Sequence, residues 1–180
     1  MKTLWRMFLE LIGYPTPPRP EQVGEALVTM REERDCHVAA IATACKVTYE
    51  QAHKACKHRN LPFFLESPIF SNPKALVSAI DRLGFQADDK ATVMQLLAGV
   101  LPVGKTIILV HDFSTKLGGF IGQHWVVFMG RDDQGNFLLH WGKTQTLEVV
   151  RPQDMVKYIT AGWPNCIIKI GESFKSEMFS

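Results

Sequence analysis

Four cysteines in 180 residues, Cys36, Cys45, Cys56 and Cys166, include no C-x-x-C pair and fall far below the density of a disulfide-stapled secreted domain. That scarcity points to a reducing compartment, the cytoplasm. No apolar run is long enough to span a bilayer. The stretch 1–12 resembles a signal peptide only superficially, because Arg6 and Glu10 interrupt it and no small-residue cleavage site follows. It reads instead as a short amphipathic helix, with Leu4, Met7, Phe8 and Leu11 at helical spacing, that packs on the rest of the protein. Charge of one sign is not in excess either: 20 Lys and Arg stand against 18 Asp and Glu, a formal net charge of +2. The basic residues are interleaved with acidic ones, which excludes the cationic footprint of a nucleic-acid binder. Internal repeats and low-complexity segments are also lacking.

What is present is the composition of a soluble globular domain, 46% hydrophobic and 21% charged, with enough chain for one substantial core. Four prolines in the seven residues from Tyr14 to Pro20 forbid a helix and favour an extended connector. Residues 1–20 are therefore expected to form the helix and its proline-rich connector, and 21–180 the single domain.

Helical signals come first within that domain. Asp35 is a good N-cap residue, and Val38, Ala39, Ala40, Ile41, Ala42 and Ala44 make the following helix apolar around most of its circumference, as in a helix buried on nearly all sides. Further helices are predicted from Tyr49 to Lys57, from Pro73 to Leu83 and, shorter, from Gln95 to Ala98. After Gly104 the character changes. Thr106 to Val110, Trp125 to Met129, Phe137 to His140 and Leu147 to Val150 are rich in β-branched, aromatic and other apolar residues and read as strands, separated by glycine-containing turns that suit antiparallel hairpins. A helix from Pro152 to Thr160 and a strand from Cys166 to Ile170 follow. Helices first and strands afterwards predict an α+β fold, N-terminal helices packed on a C-terminal antiparallel sheet.

Two residues suit covalent chemistry. Cys36 opens a helix, where unpaired backbone N–H groups and the helix dipole favour a thiolate. His124 stands at the start of an apolar strand, after a glycine-containing loop, where a rigid sheet can hold a base over a helix terminus. His140 lies sixteen residues further on. A hairpin symmetric about Asp132 would place His124 and His140 opposite each other on one face, as a base and its orienter; a turn at Asp133 to Gly135 would shift the register and separate them.

The ordered set of Asp35-Cys36-x-x-Ala39-Ala40, Ala75-Leu76 leading to Leu83-Gly84-Phe85, Leu101-Pro102-Val103-Gly104-Lys105 and Gly122-Gln123-His124-Trp125-Val126-Val127 resembles the double-glycine, bacteriocin-processing peptidases of the papain-like superfamily. The likeness runs from Glu33 to Gly142. It implies a papain-like fold and a cysteine peptidase or amidase that hydrolyses a peptide or isopeptide bond of a peptide or protein substrate. Cys36 would be the nucleophile, His124 the base and His140 the third residue, where the family normally has an aspartate. The family's oxyanion glutamine, about six residues before the cysteine, is Met30 here, which leaves the Cys36 backbone N–H and, as a second donor, Gln123. No metal and no cofactor is implied. A catalytically impaired papain-like module that binds a peptide or protein partner is the alternative that Met30 favours.

Other clusters carry plainer readings. His53, Cys56 and His58 have no evident fourth ligand, and on a helix position 58 leaves the face shared by 53 and 56, so zinc is not expected. Cys45 and Cys166 are expected in the core, and Trp125, Trp141 and Trp163 as core or pocket walls.

Overall fold

A computed structural model describes residues 27–32, 35–57, 73–117, 120–159 and 166–173. The expected helix at 1–12, the proline connector, Gly118-Gly119, His58 and Trp163 lie outside them. The first helix, α1 (Cys36–Cys45), buries every side chain from Val38 to Cys45. Its small alanines let other elements approach on all sides, as its composition predicts. It stops at Lys46, whose φ of 56° is left-handed and whose N–H reaches the carbonyls of Ala42 and Thr43.

Helix α2 (Tyr49–Cys56) starts with a reciprocal cap between Thr48 and Gln51. In α3 (Pro73–Arg82) the buried residues Ala75, Leu76, Ala79 and Ile80 recur at helical spacing on one face. The short strand β1 (Phe85–Asp88) has no counterpart among the expected elements; four residues directly after a helix turn are too few to show a period. Helix α4 (Val93–Leu97) is capped by Thr92 and Gln95, and the Arg131 guanidinium donates to the carbonyls of Leu96 and Leu97 at its other end.

Strands β2 (Thr106–Leu117), β3 (Phe120–Arg131), β4 (Phe137–His140) and β5 (Glu148–Val150) form an antiparallel run. Helix α5 (Pro152–Tyr158) follows, and β6 (Ile167–Ser173) returns to lie between β1 and β2. The six-stranded order is β1-β6-β2-β3-β4-β5, with every pairing antiparallel. The helices pack on this sheet, which makes the architecture α+β. Side chains on both faces of β3 are buried, Trp125 and Val127 on one and Val126 and Phe128 on the other. Among the described residues no helix is long and apolar enough to cross a membrane.

The β3–β4 hairpin decides which residues meet. Asp132 accepts from the N–H groups of Gln134 and Asn136 through Oδ1 and from the Asn136 amide through Oδ2. Gly135, at φ 80°, donates back to the Asp132 carbonyl. The turn therefore spans 132–136, and Arg131 pairs with Phe137; an irregularity after Phe128 moves the register by one more residue. His140 consequently lies opposite Val127.

Candidate active site

Cys36 is the first residue of α1, and the backbone N–H groups of Trp125, His37 and Cys36 itself point at its sulfur. The contact with Trp125 joins the helix N-terminus to β3 at the residue next to His124. Cys36 as a whole is half-buried. Burial pushes its thiol up to about 11; those N–H groups pull the other way, and the Asp35 carboxylate adds to the rise. Cys45 and Cys56 are pushed up further, to about 12, also by burial. Cys36 is thus a thiol rather than a thiolate at neutral pH.

His124 is buried, and its Nε2 lies 2.6 Å from the Trp141 carbonyl oxygen. A carbonyl can only accept, so Nε2 carries a proton, and in the neutral form of the ring the lone pair is on Nδ1. The Trp141 ring stacks on the imidazole, with centroids 5.2 Å apart and planes at 29°. Backbone and side chain of one residue therefore fix the tautomer and the tilt of the imidazole.

The expected pairing of His124 with His140 is not formed. His140 stands opposite Val127, three residues from His124, and strand side chains alternate, so the two imidazoles lie on opposite faces of the sheet. The Nε2 of His140 instead donates to the Val28 carbonyl at 2.9 Å, its Nδ1 is buried without a hydrogen-bond partner among the described residues, and burial lowers its pKa. His140 ties the segment 27–32 to the sheet. Gln123 also faces away from the His124 side chain. As the neighbour of His124 on β3 its side chain stands on the other face of the strand, and its Oε1 is buried without a partner among the described residues.

The segment 27–32 is stitched into the site from both sides. Val28 N–H donates to the Thr43 hydroxyl on α1, and Met30 N–H donates to the Gly142 carbonyl at 2.7 Å. Asp35 does not cap α1 with its side chain. Its Oδ2 accepts from the N–H groups of Arg31 and Glu32 and from the Tyr49 hydroxyl, while Oδ1 is buried without a partner among the described residues. Met30 packs its side chain against Gly142, where a Cβ would lie 3.2 Å from Met30 Cγ and 3.1 Å from the Ala39 Cβ. Two small residues, Ala39 and Gly142, thus let the helix and the chain just after Trp141 come together.

His53 of the expected H-x-x-C-x-H cluster stacks on Tyr49, and Cys56 closes α2. Among the described residues no group of three His, Cys, Asp or Glu side chains converges as a metal site would require.

Trp141, expected only as a core or pocket wall, is the residue that meets His124 through both its carbonyl and its ring. Its carbonyl could be found only from the true register, because the sequence signal there is no more than an aromatic at a strand end. No protein-family model matches the chain, and no curated protein matches it.

Proposed function

We propose that this chain is a papain-like cysteine peptidase or amidase that cleaves a peptide or isopeptide bond through an acyl-enzyme on Cys36. One arrangement carries the reading: a cysteine at a helix N-terminus receives the Trp125 N–H, beside a histidine whose Nε2 proton is committed to the Trp141 carbonyl. The committed proton makes Nδ1 the basic nitrogen. In the reaction Cys36 attacks the carbonyl carbon as its proton passes to His124 Nδ1, which then delivers that proton to the leaving amine. The Trp141 carbonyl takes the orienting part that a third side chain would otherwise play. Water releases the acyl group by the reverse sequence. All four cysteines are free, which supports a reducing, cytoplasmic setting.

The test is acyl transfer from a small activated ester, p-nitrophenyl acetate, read by peptide mapping of the modified cysteine. Acylation confined to Cys36, abolished in Cys36→Ala and strongly slowed in His124→Ala, is the expected result. Equal modification of Cys45, or indifference to His124→Ala, would overturn the proposal. A second reading, an impaired module that binds a peptide or protein, is favoured by the raised thiol and by Met30 at the amide position. It predicts a Cys36→Ala variant that captures a peptide ligand as tightly as the native chain, together with a native chain that is never acylated.

A further inference from the structure

Between the segment 27–32 and α2 lies an open cavity of about 440 Å³. Tyr49 lines it with a ring that is held from three sides. The hydroxyl donates to Asp35 Oδ2, the Arg31 guanidinium lies 4.3 Å over the ring centroid, and the His53 imidazole stacks at 5.7 Å and 22°. The permanent charges around this ring do not balance: Arg31, Lys54 and Lys57 stand against Glu32 and Glu50. On a helix Glu50 would pair with Lys54, four residues on, but its carboxylate is taken by Arg31 at 2.6 Å. The residue four before Lys57 is His53, which offers no carboxylate. Lys54 and Lys57 lie three apart on one side of α2, both exposed, and form no ion pair among the described residues. Glu32 alone cannot neutralise both, so a carboxylate brought from outside is the group that complements them.

The cavity is tied to the nucleophile. The N–H groups of Arg31 and Glu32, two of the lining residues, donate to Asp35 Oδ2 at 3.1 and 3.3 Å, and Asp35 directly precedes Cys36. Those bonds keep the cavity wall on the order of 10 Å from Cys36, about three residues of extended peptide at ~3.3 Å each. We propose that this cavity is a substrate subsite that takes an acidic side chain, glutamate or aspartate, about two to four residues from the bond that Cys36 attacks. This rests on the acyl-enzyme reading above. The carboxylate meets the ammonium groups of Lys54 and Lys57 while its methylenes lie against the Tyr49 ring. Because these charges are exposed, each pair contributes little, and selectivity comes from having two of them without a rival acid on α2.

The probes are p-nitrophenyl esters of acetylated peptides, alanine throughout or with a single glutamate or lysine at the second, third or fourth residue from the ester. The full chain is used, and acylation of Cys36 is read as kcat/KM. At one of these positions glutamate is expected to be preferred over alanine by about five- to thirtyfold. The preference should fade at about 1 M salt, where the screening length is about 3 Å. Lys54→Glu combined with Lys57→Glu should turn it into a preference for lysine. Lys54→Gln combined with Lys57→Gln should abolish it, and covers the case in which charge reversal disturbs α2. Each variant is judged by the ratio between peptides on one preparation, so partial loss of fold cancels. Lys90→Glu, the same charge change at an exposed residue outside the cavity, should keep the native preference. Equal acylation by glutamate, alanine and lysine peptides at all three positions, or a preference that survives both double variants, overturns the subsite while p-nitrophenyl acetate still acylates Cys36. Failure of the acetate and of every peptide ester to acylate Cys36 sinks the acyl-enzyme reading, and the subsite with it.

Discussion

The Trp141 carbonyl oxygen lies 2.6 Å from the Nε2 of His124, seventeen residues earlier in the chain. This contact assigns the imidazole tautomer through the backbone, so no substitution of the side chain at position 141 removes it. Its integrity depends on the chain path around Trp141, and several consequences can be measured.

Gly142 adopts φ 73°, and an added Cβ would approach Ala39 Cβ to 3.1 Å and Met30 Cγ to 3.2 Å. Gly142→Ala is expected to destabilise the fold by about 1–3 kcal/mol through left-handed strain and crowding. Because the Trp141 carbonyl must shift with it, Cys36 acylation should fall more than stability alone explains. Urea unfolding and ester turnover, measured on the same preparation, check both parts.

His140→Gln should leave ester turnover close to native, since His140 faces away from His124, while the orphaned Val28 carbonyl lowers stability by about 1–3 kcal/mol. A loss of turnover as large as that of His124→Ala, at unchanged stability, would return His140 to the catalytic set.

The same residue sets a pH dependence. Burial depresses the His140 pKa below its ordinary value of 6.5, so below that value the unfolded chain binds the extra proton more readily than the folded one. Stability is therefore complete above about pH 6.5 and declines as pH falls through the unfolded and then the folded pKa. The urea midpoint should drop between neutral pH and pH 5, and the drop should be smaller in His140→Gln.

The Asp35 carboxylate helps to hold the Cys36 thiol high, after burial as the larger cause. Asp35→Asn should lower the pH midpoint of iodoacetamide alkylation at Cys36, with Cys45 and Cys56, near 12, unaffected as internal references. A midpoint that stays put would mean that burial alone sets the thiol.

Tyr49→Phe removes the phenol that donates to Asp35 Oδ2 and leaves a buried charged acceptor short of one partner. The expected cost is about 1.5–3 kcal/mol, read from chemical denaturation, with the α1–α2 junction loosened rather than the sheet.

Local pattern determined most of the elements. An alanine-rich apolar run at Val38 to Ala44 can only be a buried helix, and β-branched and aromatic runs separated by glycine turns can only pair as antiparallel strands, because both signals reside within one segment. The closeness of Cys36 to the strand bearing His124 was implied by the resemblance to the double-glycine peptidases, not by either segment alone. Register was not legible. Whether His140 faces His124 or Val127 turns on how Asp132 wraps five residues of loop and on one irregularity after Phe128, and a single step of register exchanges the faces of a strand. That shift moved His140 away from His124 and brought the Trp141 carbonyl to its Nε2, a contact that no side-chain pattern can encode because every residue has a carbonyl.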